Sequence, residues 1–240
     1  IKTVANFRDD DITKGGQGAP LSPVFHKEVF AEENKSRLII NIGGIANVSL
    51  LGGGEIIGFD TGPGNCLLDI WTKKNRKGDY DNKGRWAKSG TVDQDLLNIM
   101  MMDSYFSLEP PKSTGPDYFN LTWLQDCLMK LNREVDPSDT QATLVELTAS
   151  SLSNSLEKLK IVSENIYMGG GGVHNKFLMS RISFLLGEKC YTTAKLGLDP
   201  DFIEAICFAW LAYKRVNNIK FDMSAITGSN EKVYLGKVYL

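Results

Sequence analysis

The sequence predicts an α/β protein in which helices flank a mixed β-sheet. Three apolar, β-branched runs follow one another at 37–44, 45–51 and 55–60, with glycines between them. Because glycine supplies the positive φ angles of tight hairpins, these runs predict three consecutive antiparallel strands. A further apolar run within 164–172 predicts a strand that leads into a glycine loop.

Helical segments predominate after the third strand. Apolar periodicity or a capping residue marks them at about 66–74, 92–102, 118–131, 140–160, 175–186 and 199–216. Thr91 and Gln94 predict a capping box for the second segment, and Asp199 is predicted to cap the last, with Pro200 at its first helical position. This order of elements also fits one lobe of a ribonuclease-H-like nucleotide-binding unit. Pattern alone does not separate that lobe from other α/β folds.

Composition gives no reason to expect several classes of partner. The 240 residues carry a net charge of -2, which gives no electrostatic reason to expect nucleic acid or an anionic membrane. No apolar run approaches the ~20 residues that span a bilayer. The four cysteines form no CxxC pair and only two histidines accompany them, so a zinc cluster is not indicated. Four reduced thiols in the cytosol are the simpler interpretation.

Glycine clusters are the first candidates for binding. They lie at 15–21, 41–47, 60–65 and 169–175, each at a predicted strand or helix end. Glycine there lets backbone N–H groups approach a phosphate or sugar closely, but it is also the commonest turn residue, so either role is open. None of the clusters is a GxxxxGK[ST] phosphate loop or a GxGxxG dinucleotide fingerprint.

Asp60 is the candidate for chemistry. It ends an apolar run just before a tight glycine loop, which places its carboxylate at the rim of the sheet, where α/β folds bind ligands. There it could be a general base, a magnesium ligand or simply a turn acid. Arg8 could bind a substrate carboxylate or only neutralise the acids at 9–11, and Glu204 could face a cleft or bulk water.

A collinear set of motifs covers essentially the whole chain. It comprises Asn6-Phe7-Arg8 and the segments 15–26, 41–49, 58–65, 80–90, 110–120, 141–149, 170–175 and 199–212. Taken together these segments closely resemble the anhydro-N-acetylmuramic acid kinases. Such an ordered set is far more specific than any one motif.

The resemblance implies the two-lobed fold of the sugar kinase, heat-shock ATPase and actin superfamily. On that basis residues 1–36 are expected to be the end of a first lobe with the crossover, and 37–240 the ribonuclease-H-like second lobe. It also implies ATP and Mg²⁺ as cofactors, an amino sugar as substrate, and a cytoplasmic role in peptidoglycan recycling. A homodimer is left open.

The reaction implied by the resemblance hydrolyses the 1,6-anhydro ring and phosphorylates the freed O6, giving N-acetylmuramate 6-phosphate. Asp60 is then the general base that activates water. Arg8 is the candidate for the lactyl carboxylate and Glu204 for the sugar or its attacking water, and the remaining substrate-binding candidates are Gln17, Asn47 and Asn65. Nucleotide binding is expected at Gly43, Gly44, Gly62, Gly64, Gly169, Gly170, Gly171 and Asn175, and no residue is predicted as a metal ligand.

The chain departs from the family pattern at its start. Family members open with a glycine-, serine- and threonine-rich phosphate loop followed by an acid, and this sequence begins near the expected end of the first lobe. Half of the phosphate clamp is then absent, so this piece alone is expected not to turn over. The alternative is a non-catalytic lobe of the same fold that binds sugar or nucleotide.

Overall fold

The computed structural model describes residues 1–33, 35–52, 54–76, 78–161, 163 and 165–239. Its strands are β1 (Thr3–Ala5), β2 (Arg37–Ile42), β3 (Ile45–Gly52), β4 (Glu55–Pro63), β5 (Ile166–Gly169), β6 (Cys190–Thr192) and β7 (Lys237–Tyr239). Its helices are α1 (Asp9–Thr13), α2 (Ser22–Phe30), α3 (Cys66–Arg76), α4 (Arg85–Ser89), α5 (Gln94–Met101), α6 (Leu121–Leu131), α7 (Pro137–Lys158), α8 (Lys176–Leu186), α9 (Ile203–Val216) and α10 (Ser224–Thr227).

The central sheet is mixed, as the sequence predicts. Within the described residues its order is β4-β3-β2-β5-β6. Strand β3 runs antiparallel to β2 and β4, while β2, β5 and β6 are mutually parallel. This is the strand order of a ribonuclease-H-like lobe, so the predicted fold class is confirmed. The β3–β4 register shifts between Ala46 and Asn47, directly opposite Asp60.

Apolar side chains pack on both faces of this sheet because successive side chains on a strand point to opposite faces. From β2, Leu38 and Ile40 are buried on the face that α7 and α8 cover. Ile39 is buried on the opposite face, with Phe25 of α2 and Leu211 of α9. A sheet covered on both sides explains why the predicted strands have near-continuous apolar sequences.

Two predicted helix starts are wrong. Helix α5 is capped by Asp93, whose carboxylate accepts the Leu96 N–H at 3.1 Å. The Thr91 N–H donates to Asp139 and takes no part in the cap. Helix α9 begins at Ile203, three residues after the predicted proline. The Pro200 carbonyl accepts the Gly170 N–H at 3.1 Å, which holds residues 199–202 in a turn that touches the glycine loop.

The segments before β2 and after α9 lie together. Strands β1 and β7 pair antiparallel, and the Lys237 ammonium is 2.8 Å from the Asp9 carboxylate. The predicted division of the chain between residues 36 and 37 stays a prediction. No helix in the described part of the chain is both long and apolar enough to cross a membrane.

Candidate active site

A cavity of about 840 Å³ opens beside Asp60. Asp60 lies inside β4 and does not end it as predicted, because the strand continues to Pro63. The cavity walls come from separate parts of the chain: the 17–22 segment, the β2–β3 turn, the 113–118 segment and the first turns of α9. Asp60 lies between these walls. The volume lies within the ~300–1,000 Å³ range of small-molecule sites.

Asp60 is held at the cavity by both its main chain and its side chain. Its N–H donates to the Lys112 carbonyl at 3.1 Å, and its carbonyl accepts the Tyr105 hydroxyl at 2.7 Å. One carboxylate oxygen accepts the Thr114 N–H at 3.0 Å. The residue is only 4% exposed but lines the cavity, so its free oxygen can meet a ligand with little competing water.

Burial raises the pKa of Asp60 to about 7, against the opposing effects of the Thr114 N–H and the charges of Arg8 and Lys112. A carboxyl group with an ordinary pKa is a weak base, because it binds a proton poorly at neutral pH. A pKa close to the working pH suits a general base. The environment of Asp60 therefore favours proton abstraction near neutrality.

Arg8 lines the same cavity, and a series of hydrogen bonds holds its side chain in place. One guanidinium nitrogen, Nη1, donates to the Gly18 carbonyl. The Gly18 N–H in turn donates to the buried Asp11 carboxylate at 2.7 Å, and Asp11 also accepts the Thr227 hydroxyl at 2.6 Å. Arg8 is therefore a positioned cation, and its free N–H groups suit a carboxylate or phosphate.

Three other predicted substrate residues line the cavity: Gln17, Asn47 and Glu204. The Gln17 amide donates to the Pro111 carbonyl at 2.8 Å, which ties the 17–22 segment to the loop that holds Asp60. The Asn47 side-chain oxygen accepts the Ser22 hydroxyl at 3.2 Å. Glu204 lies in the first turn of α9 with its side chain exposed.

Asn65, Gly62 and Gly64 are placed differently, outside the set of residues that lines the cavity. The Asn65 amide donates to the Ile42 carbonyl at 3.3 Å. A Cβ on Gly64 would lie 2.4 Å from the Gly43 carbonyl oxygen, so this glycine permits close backbone packing. Asn65 and Gly64 fasten the loop after β4 to the β2–β3 turn, whereas Gly62 lies within β4 and packs against Phe106 and Ser151.

The predicted nucleotide glycines also divide into two groups. Gly43 and Gly44 line the cavity. Gly169 and Gly170 pack closely against neighbouring residues, whereas a Cβ on Gly171 would meet nothing within 4 Å. Asn175 caps α8, since its side-chain oxygen accepts the Leu178 N–H at 3.0 Å.

Sequence reasoning missed the residues that hold Asp60 in place. Tyr105, Lys112 and Thr114 lie between α5 and α6 and reach Asp60 from 45 to 54 residues away in sequence. Part of the signal was available, because 110–120 is among the motifs that carry the family resemblance. Its contact with Asp60 depends on tertiary structure, which no local pattern records.

A family model described as anhydro-N-acetylmuramic acid kinase matches residues 1–240. The chain belongs to the anhydro-N-acetylmuramic acid kinase family. A family member of that name from Pasteurella multocida (strain Pm70) is 46% identical over 242 residues, covering 100% of this chain and 64% of that protein. The one from Saccharophagus degradans is 44% identical over 241 residues, covering 100% and 65%. The chain thus spans less than two thirds of the length of these family members.

A solved structure also resembles the chain. It is the activator of the 2-hydroxyisocaproyl-CoA dehydratase from Clostridium difficile with bound ADPNP. The similarity covers 84% of this chain and 69% of that chain, at a TM-score of 0.45 and 16% identity.

Proposed function

We propose that the full-length protein is an ATP-dependent kinase that opens the 1,6-anhydro ring of anhydro-N-acetylmuramic acid and phosphorylates O6. The product is N-acetylmuramate 6-phosphate, and the role is peptidoglycan recycling in the cytoplasm. Family membership supports this class of reaction. The observation that carries the proposal is Asp60, a buried carboxyl group with a pKa of about 7 on the wall of a cavity of about 840 Å³.

The proposed chemistry begins at Asp60. Its carboxylate takes a proton from a water molecule as the water oxygen attacks C1 of the sugar. The C1–O6 bond breaks, and O6 keeps the bonding electrons. O6 then attacks the γ-phosphorus of ATP, and ADP leaves. The water oxygen ends as the C1 hydroxyl, the phosphoryl group ends on O6, and the proton on Asp60 returns to solvent. Because the sugar and ATP are held in one cavity, the two displacements become effectively intramolecular.

The sugar is proposed to bind between Arg8 and Glu204. Arg8 would bind the lactyl carboxylate, because its guanidinium is braced on Gly18 and keeps further donors toward the cavity wall. Glu204 would accept a hydrogen bond from the sugar or from the attacking water. Gln17 and Asn47 would contact the sugar's polar groups. A direct role for Asn65 stays a prediction, and its amide is already bonded to Ile42.

ATP is proposed to bind with its phosphates over Gly43 and Gly44, which line the cavity beside Asp60. The open space at Gly171 suits the adenosine side of the nucleotide. The described residues contain no group of three or more His, Cys, Asp or Glu placed to hold a metal ion. Mg²⁺ commonly keeps phosphate and water ligands with one or two carboxylates, so it is proposed to arrive on ATP and to neutralise phosphate charge.

The test is Asp60→Asn in the full-length protein, assayed for ADP and for the sugar phosphate. The amide cannot take a proton from water, so kcat is expected to fall ~10²–10⁴-fold. Asp69→Asn is the matched control, because burial also raises the pKa of Asp69, to about 6, although Asp69 lies outside the cavity lining. It should retain turnover. An unchanged kcat in Asp60→Asn would contradict the proposed role.

A further inference from the structure

Lys112 is an unexpectedly buried cation. It is only 4% exposed, and no ion pair with a carboxylate is present for it in the described part of the chain. Lysine is almost never fully buried without a partner. Its ammonium lies 4.9 Å from the ring centroid of Tyr105 and 6.0 Å from that of Phe59, and it donates a long 3.5 Å hydrogen bond to the Tyr105 carbonyl. These weak contacts leave most of its charge uncompensated.

Lys112 and two of its neighbours, Tyr105 and Thr114, all form hydrogen bonds with Asp60. The Asp60 N–H donates to the Lys112 carbonyl, and the Asp60 carbonyl accepts the hydroxyl of Tyr105, the residue whose ring faces the ammonium. Thr114, two residues after Lys112, donates its N–H to the carboxylate. The positive charge is therefore held in a fixed position relative to the Asp60 carboxyl group.

Other charges on the same side largely offset each other. Lys158, at the end of α7, and Glu109 also face Lys112, but their charged groups are 2.6 Å apart in an ion pair. On the cavity side the groups near Asp60 are Arg8, Glu204 and Asp117. Among the described residues Lys112 is thus the cation without an ion pair that acts on Asp60 from the protein side. Arg8 has the larger effect on the Asp60 pKa, but it lines the cavity, where a ligand can neutralise its charge.

We propose that Lys112 is a positioning residue that holds Asp60 in its carboxylate form for catalysis. The proposal rests on the proposed function, since it supplies the charge state that a general base requires. Burial of Asp60 favours the neutral acid, which cannot accept a proton. A fixed positive charge on the buried side opposes that effect without occupying the space that the sugar and water need. Burial also lowers the pKa of the Lys112 ammonium itself.

The experiment titrates Asp60 directly in the full-length protein. The carboxyl ¹³C resonance of Asp60, assigned by its loss in Asp60→Asn, is followed against pH in the natural protein and in Lys112→Met, which keeps the side-chain length without the charge. The titration midpoint is expected to rise by about half a pH unit or more in Lys112→Met. Lys112→Gln should produce the same rise, and Lys112→Arg should keep the natural midpoint.

The pH profile of kcat/KM is measured in the same variants. Below the midpoint, Lys112→Met should lose about threefold or more in kcat/KM, and at high pH it should approach the natural value. An unchanged ¹³C midpoint in Lys112→Met and Lys112→Gln overturns the inference. A ¹³C midpoint that moves while the kcat/KM profile does not would support the electrostatic role of Lys112 and contradict Asp60 as the base.

Discussion

Asp60 meets two opposing demands at a single residue. A general base needs a raised pKa and a water-poor site, and both come from burial. The same burial disfavours the charged form that the folded protein must carry at neutral pH. The Thr114 N–H and the charges of Arg8 and Lys112 offset only part of this effect. The reactivity of the site therefore has a cost in folding stability.

That cost predicts that Asp60→Asn stabilises the full-length protein in a pH-dependent way. The pKa of Asp60 is about 7 when folded, against 3.8 ordinarily, so the folded state binds the proton more tightly. Protonated Asp60 stabilises the folded state fully below about pH 4, and this stabilisation is lost as the pH rises through 7. An amide does not ionise, so the variant should be more stable by roughly 2–4 kcal/mol at pH 8.

Urea unfolding at several pH values measures this difference. By pH 4.5 the advantage of Asp60→Asn should shrink to about 1 kcal/mol, because most of the natural carboxyl group is then protonated in the folded state. A constant difference between the two proteins from pH 4.5 to pH 8 would show that the carboxyl group titrates normally.

At the scale of elements, α2 carries a second group that burial forces out of its ordinary charge state. Burial lowers the pKa of His26 to about 3. Its Nδ1 is 2.8 Å from the Ser49 hydroxyl of β3, and its Nε2 has no hydrogen-bond partner among the described residues. A neutral ring fits between Phe25 and Phe30, whereas an imidazolium ion would be buried without a counter-charge.

We therefore predict that His26 makes the packing of α2 on the sheet less stable at acid pH. Its folded pKa is depressed, so its contribution to stability is present above pH 6.5 and is lost as the pH falls toward 3. Between pH 7.5 and pH 5 the contribution of His26 alone should fall by about 2 kcal/mol. His26→Gln cannot protonate, so the free energy of unfolding of the natural protein minus that of His26→Gln should fall by this amount over the same pH range.

The control for this measurement is His174→Gln. His174 is exposed and pairs with Asp201 at 2.7 Å, so it lies outside the core. That variant should keep the decline that His26 causes. If His26→Gln declined as steeply as the natural protein, another group would be responsible for the acid weakness.

Elements with a strong local signal were predictable from the sequence. The runs at 37–44, 45–51 and 55–60 became β2, β3 and β4, because runs of β-branched and apolar residues bounded by glycine favour strands. Strands β6 and β7 were not predicted, since each is three residues long and is defined by its partner strand. The start of α9 was missed because a tertiary hydrogen bond to Pro200 overrides the local capping signal.

At the scale of the molecule, the candidate site is assembled from distant segments. Asp60 and Arg8 could be selected from sequence, because each is a charged residue beside a glycine loop. The residues that hold them in place could not be selected from sequence, because Thr114 follows Asp60 by 54 residues and Thr227 lies 216 residues from Asp11. Such contacts are set by how the segments pack and leave no periodic signal.

The pairing of β1 with β7 is the long-range contact that supports the Arg8 segment. Gly236 precedes β7 with φ at +112°, and a Cβ there would lie 2.8 Å from Val4 Cγ1 and 3.2 Å from the Phe7 ring. Phe7 is next to Arg8, and the Tyr234 N–H donates to Asp10 at 2.7 Å. The last strand therefore fixes the segment from which Arg8 reaches the cavity.

Gly236→Ala is predicted to loosen this support. Gly197→Ala is the matched control, because Gly197 also has a positive φ, +87°, but a Cβ there meets nothing within 4 Å. Both variants carry the strain of a left-handed alanine, and only Gly236→Ala adds a clash, so it should cost about 1–3 kcal/mol more in unfolding free energy.

The KM for the anhydro sugar should rise in Gly236→Ala alone, because displacement of Phe7 moves the Arg8 guanidinium. Stability is measured by urea unfolding and KM by steady-state kinetics, both with the full-length protein. If the two variants lost equal stability and had equal KM values, β7 would not support Arg8.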